Sequence, residues 1–104
     1  MIELKNREIN LFIGLVSNDL KPIKKEHALN IISKLFIKND ISGFNASEIM
    51  GFWNNQKEKA LLISFFNTFG LKYEKLINII DIIKKELKQN AILLKVLNTP
   101  FEFI

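Results

Sequence analysis

The sequence has no cysteine, and this absence excludes disulfide bonds, thiolate metal sites and cysteine nucleophiles. Histidine occurs once, as His27, and the carboxylates are scattered singly, so other ligands for a metal are sparse as well. Four glycines leave little material for a phosphate-binding loop, and neither a G-x-S-x-G elbow nor a dinucleotide fingerprint occurs. We therefore predict a protein that is not an enzyme and that holds no metal and no small-molecule cofactor.

Long hydrophobic runs are also missing. The longest ones, Ala60 to Phe66 and Leu76 to Ile83, fall well short of the roughly 18 residues that a membrane-spanning helix needs. The first ten residues mix charged with single apolar side chains and do not form a secretory signal. These absences predict a soluble, cytoplasmic protein, and the lack of cysteine agrees with a reducing compartment.

Charge gives a weaker indication. The formal net charge of +4 comes from 14 Lys and one Arg against 11 acidic residues. Such an excess permits an acidic partner without requiring one. Lys, Asn, Ile and Phe are abundant together, as codon usage in an A/T-rich genome would produce, so compositional bias and electrostatic attraction both stay open as explanations.

Apolar residues recur at helical spacing along nearly the whole chain, and neither an internal repeat nor a linker interrupts them. The first stripe, at i, i+3, i+4 and i+7, consists of Ile9, Phe12, Ile13 and Val16. The pattern predicts one all-α domain over residues 1–104, a compact antiparallel helical bundle with four long helices plus one short helix. We expect the long helices over about residues 5–18, 24–38, 55–69 and 72–89, the short one over 45–53, and a continuation or restart over 91–97.

The stretch MGFWNNQKEK, residues 50–59, admits two interpretations. Asn45 with Glu48, and Asn55 with Glu58, have the form of helix capping boxes, which predicts a corner between two helices with Phe52 in the core. The alternative is a DNA-reading helix-turn-helix, because the order and length of the elements match. The residues that would then contact DNA are Asn54, Asn55, Gln56 and Lys57. The wide apolar surface over residues 61–69 favours the corner, since a recognition helix must leave one face to the groove.

The chain ends in three large apolar residues, Phe101, Phe103 and Ile104, where terminal residues are usually polar. Three arrangements stay open for this tail: packing along the bundle, pairing as a strand with Ile2 to Leu4, or forming part of a partner surface. The Lys-rich region before it would suit an acidic protein or an anionic membrane surface. Lysines near a helix C-terminus also offset the helix dipole, which is the structural alternative.

Several short segments, within a short basic layout of amphipathic helices, resemble the small immunity proteins that protect producers of pediocin-like (class IIa) bacteriocins. The similar segments are Met1-Ile2, Ile9-Asn10, Leu15-Val16, Leu71 to Leu76 and Leu93 to Pro100. The resemblance implies an antiparallel four-helix bundle that does no chemistry and engages a bacteriocin-bound sugar-transporter receptor at the membrane. It also implies that the C-terminal half sets specificity. The extra short helix expected over residues 45–53 departs from a four-helix count.

We therefore predict a non-enzymatic intracellular protein that binds another protein, of the immunity type, acting on a membrane receptor complex at the cytoplasmic face. The residues assigned to partner binding are Lys85, Lys88, Lys95, Phe101 and Phe103. The alternative is a small helix-turn-helix DNA-binding protein or a phage-encoded inhibitor.

Overall fold

The computed structural model describes residues 3–53, 55–98, 100, 102 and 104. Within these residues the chain forms four strands and two helices. In chain order they are β1 (Glu8–Gly14), α1 (Lys25–Lys38), β2 (Asn45–Trp53), β3 (Gln56–Phe66), α2 (Tyr73–Glu86) and β4 (Leu93–Leu97). The prediction of an all-α bundle is wrong, because the fold is α/β and strands occupy four of the segments expected to be helical.

The strands form one antiparallel sheet in the order β2-β3-β1-β4. Because β3 is antiparallel to both β1 and β2, the strands β1 and β2 run in the same direction, and α1 connects them across β3. Helix α2 connects β3 to β4 across β1 in the same way. This connectivity is the ferredoxin-like, or split βαβ, arrangement.

Strand β1 carries its apolar core residues at every second position, the spacing that a strand needs to direct them to one side of the sheet. Ile9, Leu11 and Ile13 are fully buried on the helix side of the sheet, and the residues between them point to the opposite side. Phe12 and Val16 on that opposite side are apolar too, so a period of 3.6 and a period of 2 both fit this segment. The helix expected over residues 5–18 is therefore a strand.

Residues 45–66 form a long hairpin in which Trp53 pairs with Gln56. Asn55 has a φ of 62°, a conformation that tight hairpin turns need and that Asn tolerates better than most residues. The expected corner and the expected helix-turn-helix are both wrong here, because the segment is strand, turn and strand. Glu48 forms ion pairs with Lys25 (4.0 Å) and Lys59 (3.8 Å), and its position within a strand excludes a role in a capping box.

Helices α1 and α2 lie within the segments where helices were predicted, residues 24–38 and 72–89. They cover one face of the sheet. Phe36 of α1 is fully buried and packs edge to face against Phe44 and Phe65, with ring centroids 5.1 and 5.4 Å apart. The other buried helix residues are Ala28, Ile32, Leu76, Ile79, Ile80 and Ile83. Neither helix, nor any other in the described chain, is long and apolar enough to cross a membrane.

Asn67, just after β3, is a fully buried polar residue whose side chain is completely engaged. Its Nδ2 donates to the carbonyls of Leu4 (2.8 Å) and Leu71 (3.0 Å), and its Oδ1 accepts from the Leu71 amide (3.0 Å). Its backbone also exchanges hydrogen bonds with Asn6 and Arg7. Asn67 therefore joins the segment before β1 to the loop that leads into α2.

Candidate functional site

A pocket of about 510 Å³ lies on the face of the sheet opposite the helices, a volume typical of small-molecule sites. Three parts of the chain form it: the end of β1 with the residues that follow, the β2–β3 hairpin, and the segment between α2 and β4. The lining residues are Phe12, Gly14, Val16, Asn18, Ile49, Gly51, Phe52, Glu58, Ala60, Gln89, Asn90, Ala91 and Leu93. The pocket is thus built on the side of the sheet that does not carry the core.

Gly14 leaves room at the pocket floor for two other side chains. A Cβ at this position would lie 3.1 Å from Oε1 of Glu58 and 3.3 Å from Oε1 of Gln89. Both distances are shorter than ordinary van der Waals contact, so a larger residue would displace these side chains. Glu58 and Gln89 therefore place two acceptor oxygens over the same point of the sheet.

The C-terminus of α2 positions Gln89. The amide of Gln89 donates to the carbonyl of Lys84 (2.9 Å), and the amide of Lys88 donates to that of Lys85 (3.3 Å). This is a Schellman motif in which Lys88, with a φ of 52°, occupies the left-handed position usually taken by Gly. The side chain of Gln89 then donates through Nε2 to the carbonyl of Val16 (2.9 Å), which fixes its orientation.

Asn18 and Asn90 form the end of the pocket beyond β1. The backbone amide of Asn18 donates to the carbonyl of Lys88 (2.7 Å), so the loop after β1 is attached to the end of α2. The Nδ2 of Asn18 also donates to Oδ1 of Asn90 (3.3 Å). In the side chains, this contact leaves Oδ1 of Asn18 and Nδ2 of Asn90 without a hydrogen bond to any described residue.

Glu58 is the one ionisable side chain among the lining residues. It is half-buried, and its carboxylate makes no ion pair or hydrogen bond with another described residue. Lysines approach the same face only outside the lining, as where Nζ of Lys95 lies 5.9 Å from the centre of the Phe12 ring. The pocket therefore presents a single negative charge and suits a cationic ligand.

Apolar side chains surround this charge. Phe12 and Ile49 are half-buried, whereas Phe52 is 75% exposed and Leu93 is 58% exposed at the rim. An aromatic ring left this open beside a pocket can stack on a planar ligand group. Together with the amides of residues 18, 89 and 90, the walls fit a ligand that combines a flat base with a positive charge.

The structure provides nothing that would hold a metal ion at this site. Within the described residues there is no group of three or more His, Asp or Glu side chains that could bind one. His27 lies elsewhere, on the first turn of α1, and lines a second cavity of about 430 Å³ with Asp19 and Lys88. There the hydrogen bond from the Ser17 hydroxyl holds the pKa of Asp19 below its ordinary value.

The described residues that were predicted to bind a partner lie in different parts of the structure. Lys85 is exposed in the last turn of α2, Lys88 follows the helix, and Lys95 lies in β4 on the open face of the sheet. Phe101 and Phe103 lie outside the described residues. These positions do not share one helix, because the last helix ends before the tail region and β4 intervenes.

The residues predicted to read DNA lie in the hairpin. Asn55, Gln56 and Lys57 are exposed at the β2–β3 turn and the start of β3, and Asn54 lies outside the described residues. They do not begin a helix, so the geometry of a recognition helix is absent from this part of the described chain. Phe52, expected in the core, is exposed, and the side chain of Trp53 is not among those described.

The pocket residues were missed in the sequence because they come from distant segments. Gly14, Glu58 and Gln89 are separated by more than thirty positions each and form no motif. A tight hairpin between β2 and β3 was indicated by two consecutive Asn after an aromatic residue. That signal would have placed Glu58 on a strand, and strand pairing would then have shown that Glu58 and Gly14 lie on the same face of the sheet.

The fold has solved relatives. A phage SAM lyase in complex with S-methyl-5'-thioadenosine superposes with a TM-score of 0.65 at 17% sequence identity, over 93% of this chain and 85% of that chain. A phage SAM lyase in the apo state superposes with a TM-score of 0.69 at 16% identity over the same shares. No protein-family model and no curated protein sequence matches this chain. The similarity shows a shared fold.

These comparisons correct the functional prediction. The prediction of a non-enzymatic helical binding protein is wrong, because the chain has a sheet and the solved structures that share its fold are those of a phage SAM lyase. The four-helix bundle implied by the likeness to bacteriocin immunity proteins is wrong for the same reason. The likeness itself, the protein partner and the cytoplasmic location are untested and stay predictions.

Proposed function

We propose that this chain is an enzyme that binds S-adenosylmethionine (SAM) in the pocket over Gly14 and cleaves it to S-methyl-5'-thioadenosine. The observation that carries the proposal is the unpaired carboxylate of Glu58 in a nucleoside-sized pocket. The shared fold with a phage SAM lyase that holds S-methyl-5'-thioadenosine supports it.

The chemistry follows from the two molecules. SAM bears a permanent positive charge on a sulfur that carries a methyl, an adenosyl and a four-carbon amino acid group. S-methyl-5'-thioadenosine keeps the first two groups, so the bond that breaks joins sulfur to the γ-carbon of the third. The electron pair stays on sulfur, which becomes a neutral thioether. The γ-carbon gains a new bond in its place, either to the carboxylate oxygen of the same amino acid group, which closes a lactone, or to the oxygen of a water molecule, which then releases a proton. The leaving group therefore needs no proton from the protein.

The pocket suits this reaction in two respects. Glu58 attracts the sulfonium in the substrate and has no such charge to attract in the product, which favours binding of SAM over retention of the thioether. Glu58 therefore contributes to binding, whereas the apolar walls formed by Phe12, Ile49 and Phe52 solvate the sulfonium less well than water does and favour its loss of charge as the bond breaks. Neither role needs a general acid.

The direct test is to incubate the purified chain with SAM and to follow the products by mass spectrometry. We expect S-methyl-5'-thioadenosine to form faster than in a protein-free control. The mass of the four-carbon product then defines the reaction class. A fragment without added water indicates a lyase, and one heavier by a water indicates a hydrolase. Absence of the thioether above the protein-free background contradicts the proposal.

A charge-neutral variant tests the pocket. Glu58→Gln keeps the size of the side chain and removes its charge, so SAM affinity should fall about tenfold, the effect of losing a charged contact. Affinity for the uncharged product should change less than about twofold. Glu74→Gln, at an exposed position on α2, is the matched control and should bind both compounds as the wild type does.

A further inference from the structure

The side chains of Asn18 and Asn90 meet at one end of the pocket. Both residues line it, and the hydrogen bond from Asn18 to Asn90 holds the two side chains together. Both side chains are exposed, and each amide uses only one group in this contact, so Oδ1 of Asn18 stays free to accept and Nδ2 of Asn90 stays free to donate. An acceptor beside a donor matches the edge of adenine, where the 6-amino group lies beside a ring nitrogen.

We infer that Asn18 and Asn90 read the base, and that they select a 6-aminopurine over a 6-oxopurine. This inference rests on the proposed function, because that function places a nucleoside in the pocket. Oδ1 of Asn18 accepts from the 6-amino group, and Nδ2 of Asn90 donates to the ring nitrogen N1. With the sulfur near Glu58, the N1 and N6 edge is the part of the base most remote from the sugar, and it meets the amides.

A 6-oxopurine reverses both contacts. Its O6 is an acceptor that would face the oxygen of Asn18, and its N1 carries a hydrogen that would face the amide of Asn90. Two reversed polar contacts leave groups unpaired on both sides, which excludes a ligand more effectively than the loss of an apolar contact does. The backbone hydrogen bond from Asn18 to Lys88 holds the two main-chain segments that carry the pair together without a ligand.

The test uses two uncharged nucleosides, S-methyl-5'-thioadenosine and its 6-oxo analogue 5'-methylthioinosine, with binding measured by calorimetry. We expect the wild type to bind the adenosine compound on the order of tenfold more tightly. In Asn90→Asp the carboxylate still accepts from Asn18 but no longer donates to N1, so this preference should disappear. Asn78→Asp, at an exposed position of α2 outside the pocket, should keep it.

The outcomes separate the two proposals. Equal binding of both nucleosides by the wild type overturns base reading by the amides, while formation of the thioether from SAM would still support the enzyme. A preference that survives in Asn90→Asp overturns the role of Asn90. If neither nucleoside binds and SAM is not consumed, the proposed function fails and this inference fails with it.

Discussion

The carboxylate of Glu58 lies against the backbone of Gly14, where an added Cβ would be 3.1 Å from its Oε1. We expect Gly14→Ala to displace Glu58 and Gln89 and to weaken binding of SAM several-fold. Stability should hold or rise by up to about 1 kcal/mol, because Ala is favoured over Gly within a strand. Calorimetry and thermal unfolding measure the two effects. Gly43→Ala, where a Cβ meets nothing within 4 Å, is the control, and undiminished affinity in Gly14→Ala would contradict the pocket geometry.

Phe52 provides a test of stacking that is independent of stability. Because the ring is 75% exposed, Phe52→Ala should change the free energy of unfolding by less than about 0.5 kcal/mol. Affinity for S-methyl-5'-thioadenosine should fall about tenfold, the scale of one base stacked on one aromatic ring. Phe36→Ala, in the core, should instead cost about 3 to 5 kcal/mol of stability. Wild-type affinity in Phe52→Ala would show that the ring does not contact the ligand.

Asn67 should be among the most sensitive polar positions in the chain. Asn67→Ala leaves the carbonyl and the amide of Leu71 without partners in a buried region and removes one of two hydrogen bonds to the Leu4 carbonyl, so we expect a loss of about 3 kcal/mol. Urea unfolding measures this loss of stability. Asn78→Ala on the exposed side of α2 should stay within about 0.5 kcal/mol of the wild type. A loss of under about 1 kcal/mol for Asn67→Ala would mean that water replaces the side chain.

Through Asp19, in the loop after β1, the stability of the protein depends on pH. The hydrogen bond from Ser17 lowers its pKa below the ordinary 3.8, so the ionised form is favoured in the folded state. The stabilisation is fully present above the unfolded pKa and is lost as pH falls through the folded pKa. We expect Asp19→Asn to be less stable than the wild type at neutral pH, and the difference to vanish in acid. Urea midpoints over a pH series measure this, and a pH-independent difference contradicts it.

The two helices were predictable because each combines an apolar stripe with a polar face. In α2, Leu76, Ile80 and Ile83 are buried while Asn78 and Asp81 are exposed, and no period of 2 fits that pattern. The strands were not predicted, because their sequences lack such a contrast between an apolar and a polar face. In β3, Leu61 and Ile63 face the core, but Leu62 on the other side is also apolar. Where both sides of a strand are apolar, alternation disappears from the sequence.

Several of the outer apolar residues that concealed the strands line the pocket, although Leu62 does not. Phe12 and Ala60 would be polar if the open face of the sheet met only water, and β1 and β3 would then have shown clear alternation. The site could not be predicted for the same reason, since its residues become neighbours only once the sheet register is known. The register pairs Gly14 with Ala60 and brings Glu58 alongside.

Along β1, residues of the core alternate with residues of the pocket, so the two sets can change independently. Ile9, Leu11 and Ile13 pack in the core and are constrained by folding, whereas Phe12 and Gly14, which alternate with them, line the pocket. A lineage could exchange the second set and acquire a new substrate while its architecture stayed constant, and it could equally repack the interior without altering its chemistry. At 17% identity, a chain that shares this fold differs from this one at most positions, which is enough for both sets to differ.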